Sequence, residues 1–195
     1  MRTGKRVLYW DACVFIAWLQ DEKRTPGEME GVADVVREVD RGAAYLMSSV
    51  MTRTEVLECR LTDEAKHLFD RALQRRNVQL IAQDIRVADL SHEIRNYYQA
   101  RGTKLSSPDA IHLATAILYQ ADEFHTFDGS GPTAKKSKLI PLSGLVAGQY
   151  SLTIKVPSSQ QPSLLSSLPT PGALLPAAKV RKKIPRRPPG RGTQP

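Results

Sequence analysis

The sequence predicts an α/β fold in which a central parallel sheet lies between two layers of helices. Short apolar stretches typical of strands alternate along the chain with longer stretches typical of amphipathic helices. The first strand, residues 7–10, is a continuous apolar run, which indicates burial on both faces of a parallel sheet. Residues 1–150 hold 20 basic and 20 acidic side chains, the balance of an ordinary globular domain. We therefore predict a three-layer α/β/α sandwich over residues 1–150.

Each expected element follows from a local signal. Gly42 ends the helix that begins near residue 29, whose valines repeat at helical spacing on one face. A later helix begins with Ser107 as its N-cap and Pro108 in its first turn. The expected elements, in order, are strand 7–10, helix 14–19, helix 29–41, strand 45–48, helices 52–61 and 64–75, strand 78–81, helices 85–100 and 108–120, and strand 123–127.

The last 45 residues have a different composition. Residues 151–195 hold eight basic side chains, no acidic side chain and nine of the 13 prolines, so the whole net charge of +8 lies there. A segment rich in Pro, Ser and Gln buries too little apolar surface to offset the entropy lost on ordering. We therefore expect a disordered, basic C-terminal tail over residues 151–195. Its charge either attracts phosphates or only makes the protein more soluble.

Composition also limits the compartment and the class of enzyme. Two cysteines, Cys13 and Cys59, are too few for a disulfide framework, which fits a reducing cytoplasm. The apolar run after residue 7 contains Asp11 and is not followed by a cleavage site for a signal peptidase, so we expect no export. No uncharged apolar stretch reaches the roughly 18–20 residues that a membrane span needs. Neither a Gly-rich phosphate loop nor a G-x-S-x-G elbow is present.

Four acidic residues are predicted to meet at the edge of the sheet where the strands end. Asp11 and Asp128 directly follow strands, and Glu55 and Asp109 lie near the starts of helices on the same edge. Ligands of open α/β sheets bind there. Because close carboxylates repel one another unless a cation neutralises them, and because Mg²⁺ prefers oxygen ligands, the pattern favours metal-assisted hydrolysis of a phosphodiester.

Three of these acids also have a purely structural interpretation. Asp109 lies in a first helical turn, where an acid stabilises the helix dipole. Glu55 follows Thr52 at the spacing of a capping box, and Asp128 precedes a glycine as in an ordinary turn. Asp11 is different, because a carboxylate within the most apolar stretch of the chain is costly without a partner.

Four segments together resemble the PIN-domain nucleases, and most closely the VapC-like toxins of bacterial toxin–antitoxin pairs. The segments are residues 7–16 (VLYWDACVFI), 48–56 (SSVMTRTEV), 107–116 (SPDAIHLATA) and 124–128 (FHTFD). Their order and spacing both fit the family. The resemblance implies a PIN-like sandwich, endoribonuclease activity, homodimerisation, and an antitoxin that occludes the site. It also implies that Asp11, Glu55, Asp109 and Asp128 are the catalytic carboxylates and the Mg²⁺ or Mn²⁺ ligands.

The chain departs from this family in two respects. Cys13 stands where the family usually has Ser, Thr or Asn, and a thiol is a weaker hydrogen-bond partner than a hydroxyl or an amide. The basic tail is absent from the compact toxins.

Other residues near these segments have two possible interpretations. Thr126 could bind substrate or a water next to the site, or could be an ordinary strand threonine. Lys135 and Lys136 could contact RNA phosphates or could lie on a solvated face. His112, three residues after Asp109, is interpreted as a packed helix histidine.

Two hypotheses follow from these observations. The first is a Mg²⁺- or Mn²⁺-dependent endoribonuclease that is the toxin of a type II toxin–antitoxin system and acts in the cytoplasm. The second is a PIN-like RNA- or ribosome-binding module with weak catalysis, held on its partner by the basic tail. Within the enzyme class, a housekeeping RNA-processing nuclease would differ from a toxin in causing no growth arrest.

Overall fold

A six-stranded sheet with helices on both faces forms the core of the protein, as seen in a computed structural model that describes residues 4–130 and 139–157. The strands are β1 (Arg6–Trp10), β2 (Ala44–Ser49), β3 (Val78–Ile81), β4 (Glu123–His125), β5 (Gly144–Val146) and β6 (Tyr150–Lys155). The helices are α1 (Ala12–Gln20), α2 (Glu28–Asp40), α3 (Met51–Glu58), α4 (Asp63–Leu73), α5 (Ile85–Gln99) and α6 (Ser107–Leu118), and a 3₁₀ turn spans Ile140–Leu142.

The sheet has the order β3-β2-β1-β4-β6-β5. Strands β3, β2, β1, β4 and β6 run parallel to one another, and β5 is antiparallel to β6 at one edge. Strand β1 lies between β2 and β4, with Tyr9 in register with Met47 on one side and with Phe124 on the other. The predicted sandwich with a central parallel sheet is confirmed, and the antiparallel β5 is an addition to it.

Two apolar cores cover the two faces of the sheet. Side chains of β1 alternate between them, because successive residues of a strand point to opposite faces. Leu8 and Trp10 pack with α1, α2 and α4 in one core, whereas Tyr9 packs with α5 and α6 in the other. With both faces covered, the carboxyl edge of the sheet remains open for polar side chains.

Most predicted elements begin or end within two residues of their ends in the structure, and three of the differences have a clear physical or local cause. Strand β4 ends at His125 rather than at residue 127, because the Phe127 amide donates to Cys13 Sγ instead of continuing the ladder. Helix α3 ends at Glu58 rather than at residue 61, since Cys59 has extended backbone angles. Helix α6 has Ser106 rather than the predicted Ser107 as its N-cap.

The predicted start of the tail falls inside a strand. Residues 151–155 belong to β6, which pairs with β4, so they are part of the sheet. The alternation of Tyr150, Leu152 and Ile154 with polar residues is the signal for this strand. Residues 158–195 lie outside the described residues, and the predicted disorder of the tail stays a prediction. None of the helices in the described part of the chain is both long enough and apolar enough to cross a membrane.

Candidate active site

An acidic pocket of about 460 Å³ opens at the carboxyl edge of the sheet. The structure brings all four predicted acids to it, although they come from four separate segments of the chain. The residues lining it are Asp11, Ala12, Cys13, Ile16, Arg24, Glu55, Asp109, Phe127 and Asp128. Four carboxylates against one guanidinium make the pocket strongly negative, which favours the binding of cations.

Asp11 is the most firmly held of the four acids. It follows β1 directly and caps α1, where its Oδ1 accepts a hydrogen bond from the Ala12 amide at 2.8 Å. Its Oδ2 accepts from the Thr126 hydroxyl at 2.8 Å, and its own amide donates to the His125 carbonyl at 3.0 Å. Only 8% of the residue is exposed. These contacts supply the partners that a carboxylate needs at the end of an apolar strand.

Thr126 connects Asp11 to Asp128. While its hydroxyl donates to Asp11, the same oxygen accepts a hydrogen bond from the Asp128 amide at 2.9 Å. The side chain is completely buried, so it lies behind the acids rather than on the pocket surface. This geometry gives Thr126 a role that neither sequence interpretation named: it positions the two acids from behind and does not face a substrate.

Cys13 also contacts Asp11, from the position where a hydroxyl or an amide was expected. Its Sγ donates to Asp11 Oδ2 at 3.2 Å, lies 3.3 Å from Thr126 Oγ1, and accepts from the Phe127 amide at 3.3 Å. Burial and the charge of Asp11 raise the pKa of the thiol well above its usual value. The thiol therefore stays protonated and remains a hydrogen-bond donor to the carboxylate.

Glu55 lies on α3 and contacts His112 rather than a helix cap. The predicted capping box with Thr52 does not form, because the Thr52 hydroxyl bonds to Ser48 Oγ. Instead, Glu55 Oε2 lies 2.9 Å from His112 Nε2. The opposite ring nitrogen, Nδ1, lies 2.7 Å from the Tyr9 hydroxyl.

His112 is both a packed helix residue, as predicted, and a direct neighbour of two of the acids. It is 1% exposed, and its Nε2 lies 3.7 Å from Asp11 Oδ1. Burial opposes protonation, but the hydrogen bond to Glu55 and the charges of Asp11, Glu55 and Asp109 outweigh it and raise the pKa of His112. The position of His112 in the segment with Asp109 was the sequence signal for this role.

Asp109 lies where both of the interpretations that the sequence allowed are compatible with the structure. It forms a capping box at the start of α6, where its amide donates to Ser106 Oγ at 3.1 Å and its Oδ2 accepts from the Ser106 amide at 3.3 Å. It also lines the acidic pocket. The capping contact fixes the carboxylate at the pocket wall, so the structural and functional interpretations of Asp109 are compatible.

Asp128 reaches the pocket from a turn rather than from the strand itself. Two residues separate it from the end of β4, and Gly129 follows it with a φ of +113°. The predicted turn is therefore present, and the carboxylate still lines the pocket. Lys135 and Lys136, the two predicted phosphate contacts, lie outside the described residues.

Arg24 is a pocket residue that the sequence did not single out. It lies between α1 and α2, and its guanidinium carbon is 3.9 Å from the centre of the Phe127 ring. No local motif marks it, because the loop 21–27 contributes it to the site only through the folded arrangement.

The donor set of the pocket fits a hard divalent cation. All four acids offer oxygen ligands, which Mg²⁺ and Mn²⁺ prefer, and the excess of negative charge needs neutralisation. The geometry is open, however: within residues 4–130 and 139–157, no three His, Cys, Asp or Glu side chains are close enough to hold an ion. Such an open arrangement leaves room for the waters that a hard divalent cation keeps when few protein ligands bind it.

Comparison with known protein families identifies the family of this domain. The model of the PIN domain matches residues 8–130, a range that contains all four acids. The chain belongs to the PIN domain family. Members of this family are nucleases. A search of curated proteins found no match.

One solved structure shares the fold of this chain, and others resemble it more weakly. VapBC2 from Rickettsia felis, crystallised with a DNA fragment from its promoter, matches with a TM-score of 0.54 and 10% identity, over 76% of this chain and 98% of that one. FitAcB from Neisseria gonorrhoeae matches with a TM-score of 0.45 and 19% identity, over 62% and 87%. A toxin–antitoxin complex from Klebsiella pneumoniae matches with a TM-score of 0.43 and 20% identity, over 65% and 93%.

Proposed function

We propose that this PIN-domain protein is a Mg²⁺- or Mn²⁺-dependent endoribonuclease. The observation that carries the proposal is the convergence of Asp11, Glu55, Asp109 and Asp128 on one pocket within the family's domain. Four carboxylates with oxygen donors alone suit a divalent cation, and a cation and an acidic pocket together suit an anionic phosphodiester.

Each acid has a role in this proposal. Asp11, Asp109 and Asp128 hold the cation, and Glu55 either completes the ligand set or orients the attacking water. The bound cation supplies a water of lowered pKa and offsets the charge that builds up on the phosphate. Thr126 and Cys13 keep the Asp11 carboxylate aimed at the pocket by donating to its Oδ2.

The biological role we propose is that of the toxin in a type II toxin–antitoxin system. The resemblance of the four acidic segments to VapC-like toxins and the fold likeness to VapBC2 support it. A cognate antitoxin that covers the pocket, homodimerisation and a cytoplasmic location are parts of the same proposal.

Cleavage of a mixed pool of single-stranded and structured RNA tests the activity. Purified protein is incubated with Mg²⁺, Mn²⁺ or EDTA, and a DNA pool of the same sequences serves as the control. We expect cutting of RNA in either cation and none in EDTA. Salt-sensitive RNA binding without cutting, lost when residues 158–195 are removed, would instead support a binding module held by the tail.

Expression in a bacterial host tests the role as a toxin. We expect growth arrest that co-expression of a cognate antitoxin relieves. Active nuclease without any arrest would indicate a housekeeping RNA-processing enzyme.

A further inference from the structure

Arg24 is an oriented cation in an otherwise acidic pocket. Of the described residues that line this pocket, it is the only one with a positive side chain. Its guanidinium lies over the Phe127 ring at 3.9 Å, next in sequence to the pocket acid Asp128. A guanidinium stacked on an aromatic ring loses little further freedom when its edge binds a ligand.

Two features of the loop hold Arg24 in this orientation. Glu22 binds its Nη2 through Oε2 at 2.7 Å. The Glu22 amide in turn donates to the Ala17 carbonyl at 3.0 Å, which fixes the turn after α1. The guanidinium is therefore held on one face by Phe127 and at one corner by Glu22, so its remaining N–H groups point in fixed directions.

One of these N–H groups is buried without a partner. Arg24 Nε has no hydrogen-bond acceptor among the residues that the structure describes, although it is shielded from solvent. A buried donor without an acceptor is destabilising by about 1–3 kcal/mol, and an acceptor oxygen of a ligand that reaches Nε from the pocket would offset this cost. Guanidinium groups match the paired oxygens of a phosphate with two parallel hydrogen bonds.

We propose that Arg24 binds a backbone phosphate of the RNA as it enters the acidic pocket. This inference rests on the proposed function and adds to it the residue that recognises the substrate. The cation at the acids attracts a phosphate only when bound, whereas Arg24 supplies a permanent positive charge at the pocket wall. Arg24 is thus a substrate-binding residue that draws the phosphodiester towards the four carboxylates.

The test measures RNA affinity separately from cleavage. Binding of a fluorescein-labelled single-stranded RNA oligonucleotide is followed by anisotropy in Ca²⁺, at several salt concentrations, with the RNA verified as intact. We expect Arg24→Gln to raise Kd about tenfold, the effect of one lost charged hydrogen bond. The slope of log K against log salt should also fall by about 0.7, the value for one phosphate contact on a single strand.

Two further variants separate binding from folding. Arg24→Lys keeps the charge but loses the paired geometry, so we expect the wild-type salt slope with a smaller rise in Kd. Arg101→Gln is the matched control, because Arg101 also lies on an aromatic ring, that of Tyr97 at 3.6 Å, but does not line the pocket. It should bind RNA as the wild type does, and all variants should keep the wild-type Tm to within a few degrees.

The outcomes for Arg24 and for the nuclease are distinguishable. An unchanged Kd and salt slope in Arg24→Gln would overturn the inference, as would failure of the wild type to bind RNA. If the wild type binds RNA through Arg24 yet cuts none in Mg²⁺ or Mn²⁺, the phosphate contact stands and the proposed nuclease fails.

Discussion

Glu55 and His112 join two helices of the candidate site through one hydrogen bond, 2.9 Å long, between Oε2 and Nε2. Glu55 comes from α3 and His112 from α6, so the contact connects segments 57 residues apart in the chain. The imidazole is held from behind by the Tyr9 hydroxyl on β1. His112 Nε2 therefore lies close to two carboxylates, 2.9 Å from Glu55 Oε2 and 3.7 Å from Asp11 Oδ1.

Replacement of His112 tests whether it positions Glu55. His112→Leu removes the donor to Glu55 and leaves the Tyr9 hydroxyl without this partner, so we expect the rate of RNA cleavage to fall about 10–100-fold. His112→Gln retains a side-chain amide that can reach Glu55 and should recover part of this loss. Cleavage rates measured as a function of Mn²⁺ concentration would show whether the midpoint for metal activation rises.

His92 provides the matched control for this experiment. It is an exposed histidine on α5 that contacts Asn96, and it does not line the pocket. His92→Leu should cleave RNA like the wild type. Equal rates and equal Mn²⁺ midpoints for His112→Leu and the wild type would contradict the positioning role.

The thiol at position 13 gives a second prediction. Cys13→Ser replaces a weak donor to Asp11 Oδ2 by a hydroxyl, which makes a shorter and stronger hydrogen bond to a carboxylate. We therefore expect cleavage at the wild-type rate or up to a few-fold faster. Cys13→Val keeps a similar volume but donates nothing, and it should lower the rate about tenfold, since one charged hydrogen bond is lost.

Cys59→Ser controls for general effects of cysteine replacement, because the Cys59 thiol donates to a backbone carbonyl, that of Glu55 at 3.4 Å, and does not line the pocket. A Cys13→Val variant as active as the wild type would show that the thiol does not support Asp11.

Acid should destabilise the fold through a charged cluster around Glu123, the first residue of β4. Glu123 accepts from Arg6 at 2.6 Å and from His125 at 2.9 Å, and lies 3.1 Å from Lys155. Burial opposes ionisation, but the hydrogen bonds from His125 and Lys155 and the charge of Arg6 lower the pKa of Glu123 to about 2. The pKa of His125 is also lowered, chiefly by burial.

Both shifts have the same sign for stability. A carboxyl whose pKa falls on folding stabilises the protein fully above its unfolded value, near 4.5, and loses this contribution as the pH falls towards 2. A histidine whose pKa falls on folding likewise destabilises the fold as the pH drops below about 6.5. These two groups should therefore lower the free energy of unfolding, measured in urea, as the pH falls from 7 to 3, whereas the raised pKa of His112 acts in the opposite direction near neutral pH.

Glu123→Gln isolates the carboxylate from other acidic groups. At pH 7 it should lower the free energy of unfolding by about 2–3 kcal/mol, the equivalent of a pKa depression of about two units. Below pH 4.5 the difference from the wild type should shrink, because the Glu123 carboxyl of the unfolded chain becomes protonated while that of the folded protein stays ionised down to about pH 2. A constant difference at every pH would mean that the ionised form of Glu123 contributes nothing.

Most of the fold could be predicted from the sequence, because the local patterns of strands and helices agree with the general rules for parallel sheets along most of the chain. The apolar run before Asp11 and the strand at 78–81 have unambiguous signals, and the structure places both as predicted. The edge hairpin of β5 and β6 was missed, because glycines and a proline interrupt the stretch before residue 150. Its alternating pattern from Tyr150 onward was a usable signal.

Only part of the candidate site could be predicted from the sequence, and the reason is physical. Acids that follow strands share one edge by topology, so the common location of Asp11, Glu55, Asp109 and Asp128 could be predicted without distances. Arg24 enters the pocket through loop geometry that no sequence pattern encodes. Likewise, the contact of His112 with Glu55 depends on how α3 and α6 pack.

Cleavage of RNA by Asp11→Asn tests the central claim most directly. Asparagine keeps the shape and the hydrogen-bonding oxygen at Oδ1 but removes the negative charge that the metal requires. Asp34→Asn, on the outer part of α2 and paired with Arg37, is the matched control for the loss of one surface carboxylate. With equal Tm values verified, we predict that Asp11→Asn loses cleavage in both Mg²⁺ and Mn²⁺ while Asp34→Asn retains it. Undiminished metal-dependent cleavage by Asp11→Asn would contradict the assignment of this pocket as the active site.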